Sequence, residues 1–305
     1  MKIVMLGHKR IPSREGGVEI VVEQLAVLMA AAGHDVTVYN RGGHHVAGSG
    51  YESFEYRRKY EYNGVHVKTI PTMPQKSLNA IIYSFFAAIR ACFSKADIVH
   101  FHAEGPCSMM MLPKLFHKKC VATIHGLDWQ RAKWGGFATR FLLFGEKTAA
   151  KHADEIIVLS KGVQDYFEET YHRKTIFIPN GITKPKYLEP QIIREKYGLG
   201  KEGYLLFLAR LVPEKGVHTL LSAYEKSSLT VPLVIAGGSS HSSEYEEQIK
   251  KQAAKINSQG KGNIIMTGFV QGQELQELYS NAMLYILPSE IEGMPLSLLE
   301  AMSYG

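Results

Sequence analysis

The sequence predicts an α/β protein built of two doubly wound parallel-sheet domains, the second of them incomplete. Three observations carry this. Short apolar, β-branched runs alternate with helical segments along the 305 residues, the rhythm of parallel strands buried on both faces by crossover helices. A stretch rich in turn formers, from Ile182 to Gly203 with Pro185, Pro190, Gly198 and Gly200, interrupts that rhythm once. A second series then begins and stops at its fourth strand and following helix, with Gly305 placed as a helix C-cap that would lead onward.

The first series opens on KIVML from Lys2, followed by a helix from Val18 to Ala32. In that helix Val18, Val21, Val22, Leu25, Leu28 and Met29 recur on one stripe, and Gly33 ends it. DVTVY from Asp35 and VHVKTI from Val65 are the next strands, before a helix over 77–93. DIVHF from Asp97 leads to a helix over 106–117, CVATI from Cys120 to a helix ending near Lys151, and EIIVL from Glu155 to a helix over 161–172 with Ser160 as its N-cap. TIFIP from Thr175 closes the domain before an Asn180-Gly181 turn. In the second series YLLFLA, PLVIAG, NIIMTG and MLYILP alternate with helices over 214–227, 244–258, 272–282 and 295–304. The expected limits are a first domain over 1–182, a linker over 183–203 and a second domain over 204–305. Two such domains facing one another would set the carboxyl ends of both sheets around a cleft.

Composition narrows the function classes. A 45% hydrophobic content supplies two cores, and three cysteines without metal-ligand spacing suit a reducing compartment in which all three are apolar filler. The apolar run after the basic start is too short for the apolar region of a secretory signal, so no signal peptide is expected. The longest apolar stretch, Leu78 to Phe93, contains Arg90 and falls short of the roughly 20 residues that cross a bilayer. Residues 1–180 hold 23 Lys+Arg against 16 Asp+Glu, while 181–305 hold 12 against 13. Clusters at Arg57-Arg58-Lys59 and at Lys114 with Lys118-Lys119 are either solvated faces or a contact for an anionic membrane surface or phosphorylated acceptor. Nucleic acid is not expected, since no aromatic-interleaved basic motif accompanies the charge.

The chemistry concentrates at the ends of strands. In SEIEGMPLSLLEAMSY, Glu292 and Glu300 lie eight positions apart across a strand-to-helix junction, with Pro288 ending the strand and Pro295 opening the helix. A helical Pro295 to Glu300 separates the two carboxylates by roughly a dozen Å at about 1.5 Å per residue, a span suited to the two ends of a nucleotide sugar. The first N–H groups of the new helix, near Leu296 and Ser297, lie between them and favour a diphosphate. LARLVPEKGVHTLL puts Arg210 at a strand end and Lys215 at the following helix start, two cations for two phosphates unless Lys215 pairs with Glu214 or Glu225. Gly16 and Gly17, after the first strand, allow close backbone approach at a helix N-terminus. His125 follows a strand directly, with Asp128, Trp129, Arg131 and Trp134 beyond it; the indoles suit either sugar stacking or packing. No D-x-D occurs, Glu290 and Glu292 form only an E-x-E, and the pairs His44-His45 and His100 with His102 lack further ligands, so neither metal nor cofactor is expected.

The ordered set His125, Arg210, Lys215, Glu292 and Glu300 resembles that of retaining glycosyltransferases of the GT-B fold, family 4, over nearly the whole chain, which in that family continues past this C-terminus. The resemblance implies two Rossmann-like domains facing a cleft and transfer of a sugar from a nucleoside diphosphate to a carbohydrate or lipid-linked acceptor with retained configuration. It places Arg210, Lys215 and Leu296 on the departing diphosphate, Glu292 on the donor sugar and Glu300 on ribose. Gly16, Gly17, Gly237, Val270 and Ser297 then join the donor site, His125 contacts the transferred sugar or the leaving phosphate, and Asp128, Trp129 and Arg131 shape the acceptor side. Surface-polysaccharide synthesis on the cytoplasmic side of a membrane, with peripheral attachment, is the setting implied. A nucleotide-sugar 2-epimerase and a non-catalytic sugar-nucleotide-binding subunit are the alternatives.

Overall fold

The computed structural model describes residues 1–14, 16–42, 58–73, 76–130, 135–227, 229–238 and 243–305. They fall into two compact units, Met1–Asn180 and Gly181–Gly305. The chain is α/β with parallel sheets, as the alternation of runs predicts.

The first unit holds an eight-stranded sheet. β1 (Lys2–Leu6) lies at its centre between β2 (Asp35–Arg41) and β5 (Ile98–His102). Outward from β2 come β4 (Val65–Ile70) and the antiparallel β3 (Lys59–Tyr62); outward from β5 come β6 (Lys119–Ile124), β7 (Glu155–Val158) and β8 (Ile176–Phe177). The chain steps one way from β1 to β2 and the other way from β4 through β8. Right-handed crossovers therefore send α1 (Gly17–Ala31) to one face and α2 (Lys76–Cys92), α3 (Glu104–Cys107), α4 (Met111–Leu115), α5 (Gly136–His152) and α6 (Lys161–Tyr171) to the other. Alternation along β1 divides its side chains accordingly: Ile3 and Met5 join Val22 and Ala26 of α1, while Val4 and Leu6 join Tyr83 and Ala87 of α2.

The expected helix over 106–117 is two short helices. Pro106 and Pro113 have no N–H to donate, and Ser108, Met109, Met110 and Leu112 close i to i−3 bonds instead of a continuous α ladder. Ser160 caps α6 as expected, its hydroxyl accepting from Val163 N–H at 3.3 Å. Ser160→Ala is expected to cost about 1 kcal/mol, read as a lower urea midpoint.

The second unit has a four-stranded parallel sheet in the order β11 (Ile264–Gly268), β10 (Leu233–Ala236), β9 (Leu205–Leu208), β12 (Leu284–Tyr285). α8 (Val217–Lys226) and α9 (Ser243–Ser258) pack on one face around Phe207 and Ile235. α7 (Ile192–Tyr197), α10 (Gly272–Ser280) and α11 (Leu296–Tyr304) pack on the other around Leu206 and Val234. The segment expected as a linker carries α7, whose Ile193 is fully buried. It is stitched to α10 by Glu277, whose carboxylate accepts from the N–H groups of Gln191 and Ile193 at 3.0 and 3.2 Å. The helix expected over 214–227 is broken at Gly216, in the left-handed region at φ +68, so that Pro213–Lys215 forms a separate 3-10 turn before α8. A Cβ on Gly216 would lie 2.2 Å from the Pro288 carbonyl oxygen, so only glycine admits that contact.

Candidate active site

Doubly wound sheets gather ligand-binding loops where the direction of winding reverses. In the second unit that point lies between β9 and β12, since β10 and β11 step away from β9 on one side and β12 returns on the other. Arg210 sits two residues beyond β9, in a main chain fixed by Ala209 N–H to Ala236 O at 3.2 Å and Leu211 N–H to Gly238 O at 3.1 Å. No hydrogen bond or ion pair holds its guanidinium among the described residues. Lys215, on the 3-10 turn rather than on a helix, forms an ion pair with Glu292 from the loop after β12. Glu292 is thus the ion-pair partner seen, while Glu225, one of the two expected alternatives, meets Lys261. Both side chains are mostly buried, 15% and 24% exposed, which strengthens their attraction over that of a surface pair. Main chain ties the two loops together as well, Glu290 N–H donating to Glu214 O at 3.1 Å.

Gly237 completes this edge. Its N–H donates to Gly268 O at 2.8 Å, its φ is +136, and a Cβ there would stand 1.9 Å from the Ala209 carbonyl oxygen. Gly237→Ala therefore displaces the backbone next to Arg210 and is expected to cost about 3 kcal/mol, measured as a fall in the urea midpoint, with loss of any function that Arg210 serves.

α11 begins at Leu296, with Pro295 just outside it as N-cap, and its first amides have no partner within the helix. Two tyrosines that the sequence reading did not single out position this end. Tyr285 OH donates to Leu208 O at 2.9 Å and pairs with Ser297 Oγ at 2.9 Å; Tyr279 OH donates to Glu300 Oε2 at 3.0 Å. Burial, with the charges of Glu292 and Glu300 adding to it, raises Tyr285 to about 12, so both carboxylates act on one phenol. The structure thus brings Lys215, Glu292, Ser297 and Glu300 around the end of the sheet, with Arg210 and Gly237 on its adjoining strand ends. Val270 follows β11 with its side chain in the core, so only its backbone is available to a ligand.

In the first unit the reversal lies between β1 and β5. Gly16 is the N-cap of α1 and Gly17 its first residue, yet this terminus differs from an open phosphate cradle. Glu19 folds back over it: a Cβ on Gly16 would lie 2.2 Å from Glu19 Oε2, and Glu19 Oε1 accepts from Lys9 N–H at 3.0 Å. The helix end already faces a carboxylate of the protein, which repels a second anion, and the glycine makes room for that carboxylate.

His125 stands just past β6, its Nε2 3.1 Å from Nδ1 of His102, whose ring lies 4.2 Å from that of His100. Burial lowers His125 to about 4 against the opposing charges of Asp128 and Glu19, leaving a neutral imidazole at pH 7. Glu104, which sequence reasoning passed over, is fully buried after β5, and neither carboxylate oxygen has a hydrogen-bond partner among the described residues. Burial, then the neighbouring Asp128 and Glu146, raises it to about 10, so it is a neutral acid. Trp129 is in the packed arrangement: its indole N–H donates to Glu146 at 3.1 Å, and Tyr166 and Tyr171 donate to the same carboxylate. Asp128 opens the 3-10 turn Asp128–Gln130. Arg131 and Trp134, like His44, His45 and Arg57, lie outside the described residues. Among the described residues no group of three or more His, Cys, Asp or Glu is placed to hold a metal ion, and no helix is long and apolar enough to cross a membrane.

Two doubly wound units, one carrying a lysine–glutamate pair and a helix terminus at its switch point, define a GT-B glycosyltransferase. The chain belongs to Glycosyltransferase Family 4, which it matches over residues 15–184, more than half its length, and it matches Glycosyl transferases group 1 over residues 190–305. It is 31% identical over 117 residues to O-antigen chain mannosyltransferase B of Escherichia coli, a match covering 37% of this chain and 29% of that protein. Sucrose-phosphate synthase from Thermosynechococcus elongatus superposes with TM-score 0.81 at 20% identity, over 100% of this chain and 79% of its own. HepE of Anabaena, solved in complex with UDP and glucose, superposes with TM-score 0.76 at 18% identity, over 100% of this chain and 78% of its own.

Proposed function

We propose that this chain transfers a sugar from a nucleoside-diphosphate donor to a carbohydrate or lipid-linked acceptor with retention of configuration, without a metal or cofactor, on the cytoplasmic side in surface-polysaccharide synthesis. The observation that carries the reading is the Lys215–Glu292 pair at the switch point of the second unit, with Arg210 two residues past β9 and the first amides of α11, which have no partner within the helix, at the same sheet end. Diphosphate charge grows as the glycosidic bond breaks. Preformed cations and amides that face it stabilise that state more than the intact donor. Glu292 balances positive charge at the anomeric carbon, and Glu300, oriented by Tyr279, accepts from ribose hydroxyls. The leaving phosphate oxygen takes the acceptor proton as the new bond forms on the same face. His125, neutral, serves as a hydrogen-bond partner for a sugar hydroxyl rather than as a cation. The likeness to a UDP- and glucose-bound structure supports the donor class, while base and sugar are left to measurement.

The test is a thermal-shift screen of UDP-, GDP-, ADP- and dTDP-sugars, followed by NMR of the product's anomeric proton with the stabilising donor. One donor is expected to raise the midpoint, and Arg210→Ala to abolish that rise. Binding without transfer to any acceptor, or a rearranged free sugar as product, overturns the reading.

A further inference from the structure

Two glutamates of the first unit lie side by side, and neither has an ion-pair partner among the described residues. Glu104, the first residue of α3, and Glu146, on α5, are both fully buried. Gly145 brings the two helices into backbone contact, since a Cβ there would collide with the Glu104 carbonyl oxygen and crowd the Ser108 nitrogen. The main chain before Glu104 is bent to reach this place. Ala103 sits at φ +72, ψ 162, a region nearly reserved for glycine, with its N–H donating to Thr123 O at 3.0 Å. Such strain persists where the surroundings fix it, and it clusters at functional sites.

Glu146 is the acceptor of the two. Trp129 Nε1 donates to its Oε2 at 3.1 Å, and the hydroxyls of Tyr166 and Tyr171 donate to its Oε1 at 2.8 and 2.6 Å. Glu104 is the acid. Two carboxylates here would have no hydrogen atom between them and would repel in a medium that screens little. With one proton, the O–H of Glu104 has Glu146 to donate to. Burial first, then the charge of Asp128, then that bond to Glu146 hold the proton on Glu104, while the Asp128 N–H opposes them. The other titratable neighbours are Cys107, three residues on in α3, and the two tyrosines; burial pushes all three up, so each stays neutral and none competes for the proton. Asp128 opens the turn that carries Trp129, and its charge also acts on His125. Indole, acid pair and histidine therefore belong to one assembly.

We propose that Glu104 and Glu146 hold one proton between them, and that the pair is a positioning device which fixes Trp129, and with it the Asp128–Gln130 turn, beside His125. The proton does what a lysine or arginine does in a buried ion pair, without a long side chain in the contact between α3 and α5 that Gly145 keeps close. One charge is left on the pair, and three donors converge on it as charge-assisted hydrogen bonds, which are stronger and more directional than neutral ones. Removing the acid proton or the accepting carboxylate loosens the turn. In the transfer reaction Asp128 and Trp129 stand on the acceptor side; that use of the turn rests on the function proposed above, and the shared proton does not.

Infrared spectra and the indole itself test this, with neither donor nor acceptor present. At pH 7.5 the parent is expected to show the carbonyl stretch of a protonated carboxyl group, lowered in frequency by donation to a carboxylate, and Glu104→Gln to lose it. Glu146→Gln is expected to lose it as well, since the new amide donates to Glu104 and the neighbouring charge is gone. In a Trp134→Phe background Trp129 is the one indole of the chain, and acrylamide quenching reads its setting. Glu146→Gln, with one accepting oxygen for three donors, is expected to release the indole and raise the quenching constant roughly threefold. Glu104→Ala is expected to act in the same direction, and Glu104→Gln, whose amide N–H replaces the acid proton, to match the parent. The ring ¹⁵N–¹H signals of His125 are expected to move in the first two variants and to stay in the third. A parent without the band, a band at the frequency of an isolated acid, or one that survives Glu146→Gln overturns the shared proton. Unmoved quenching and His125 signals in Glu146→Gln and Glu104→Ala overturn the positioning role. Far-ultraviolet dichroism checks folding; should Glu146→Gln not fold, the parent's band frequency decides the first point and Glu104→Ala against Glu104→Gln the second. A chain that binds a donor and transfers nothing overturns the function proposed above and leaves these readings as they are.

Discussion

Replacing Lys215 by alanine is expected to lower kcat/KM by roughly 100-fold, about 2.7 kcal/mol of transition-state stabilisation, the magnitude seen when one preorganised donor to a developing anion is removed. The loss has two parts, because Lys215 and Glu292 form one ion pair in which the carboxylate is only 24% exposed. Removing the ammonium takes away a charge that would meet the diphosphate. It also leaves Glu292 uncompensated next to the place a dianion must occupy, so donor affinity falls together with turnover. Glu292→Gln acts in the opposite sense on binding. Lys215 is then released from its partner, the donor is expected to bind as tightly as before or more so, and kcat falls, which lowers KM and kcat together. Lys215→Ala with Glu292→Gln recovers donor affinity relative to Lys215→Ala alone. Steady-state kinetics and calorimetric donor binding on the four proteins check this. A Kd unaffected by Lys215→Ala, or strict additivity of the two substitutions, shows that the pair is a structural clasp with no part in donor handling.

The second expectation concerns acid. Four imidazoles of the first unit, His8, His100, His102 and His125, are all depressed below their ordinary 6.5, chiefly by burial: His8 and His125 to about 4, His100 to about 3 and His102 well below 6.5. Between pH 6.5 and about 4 the unfolded chain binds protons at these positions that the folded unit does not. Stability is therefore present above pH 6.5 and lost as pH falls through that window. Glu104 works against the trend, since its acid raised to about 10 keeps in the folded state a proton that the unfolded chain releases above its ordinary 4.5. Four imidazoles less one carboxyl leave three protons, or about 4 kcal/mol per pH unit at about 1.4 kcal/mol each. Over the window from pH 6.5 to 4 that slope removes on the order of 10 kcal/mol, comparable with the whole stability of a domain. Hydrogen exchange of β5 and β6 amides, corrected for intrinsic rate, is expected to rise steeply below pH 6. Glu104→Gln is expected to raise protection at pH 7.5 and steepen the acid loss. Flat protection from pH 7 to 4.5 contradicts the buried histidine set.

What could be read without coordinates follows from what each residue must do. Strands β1, β5, β6, β9 and β10 are buried on both faces, so their apolar runs stand out as runs. β3 escaped notice because KYEY alternates polar and aromatic residues on an antiparallel edge, whereas β8, read in TIFIP, is only the pair Ile176 and Phe177. The break at Gly216 depends on a close approach to Pro288, 72 positions away by residue number, and the two-helix form of 104–115 depends on which amides the prolines withhold. At the site, Lys215 and Glu292 were recognisable as chemistry-bearing residues, but their pairing is a tertiary fact. Tyr279 and Tyr285 went unremarked since a tyrosine in an apolar stripe looks like core until its hydroxyl is seen to hold a carboxylate or a serine. Glu19 illustrates the converse, an unremarkable helix glutamate that takes the place in which a ligand was expected.

The seam between the two loops of the second unit is sewn mainly with peptide groups: Glu290 N–H to Glu214 O, and Gly216 against Pro288 O. Neither glutamate lends its side chain to that seam, so residues 214 and 290 can be exchanged for many others without undoing it. Substrate preference on such a frame can drift by side-chain replacement alone, with the glycine as the fixed hinge pin around which the remaining choices are made.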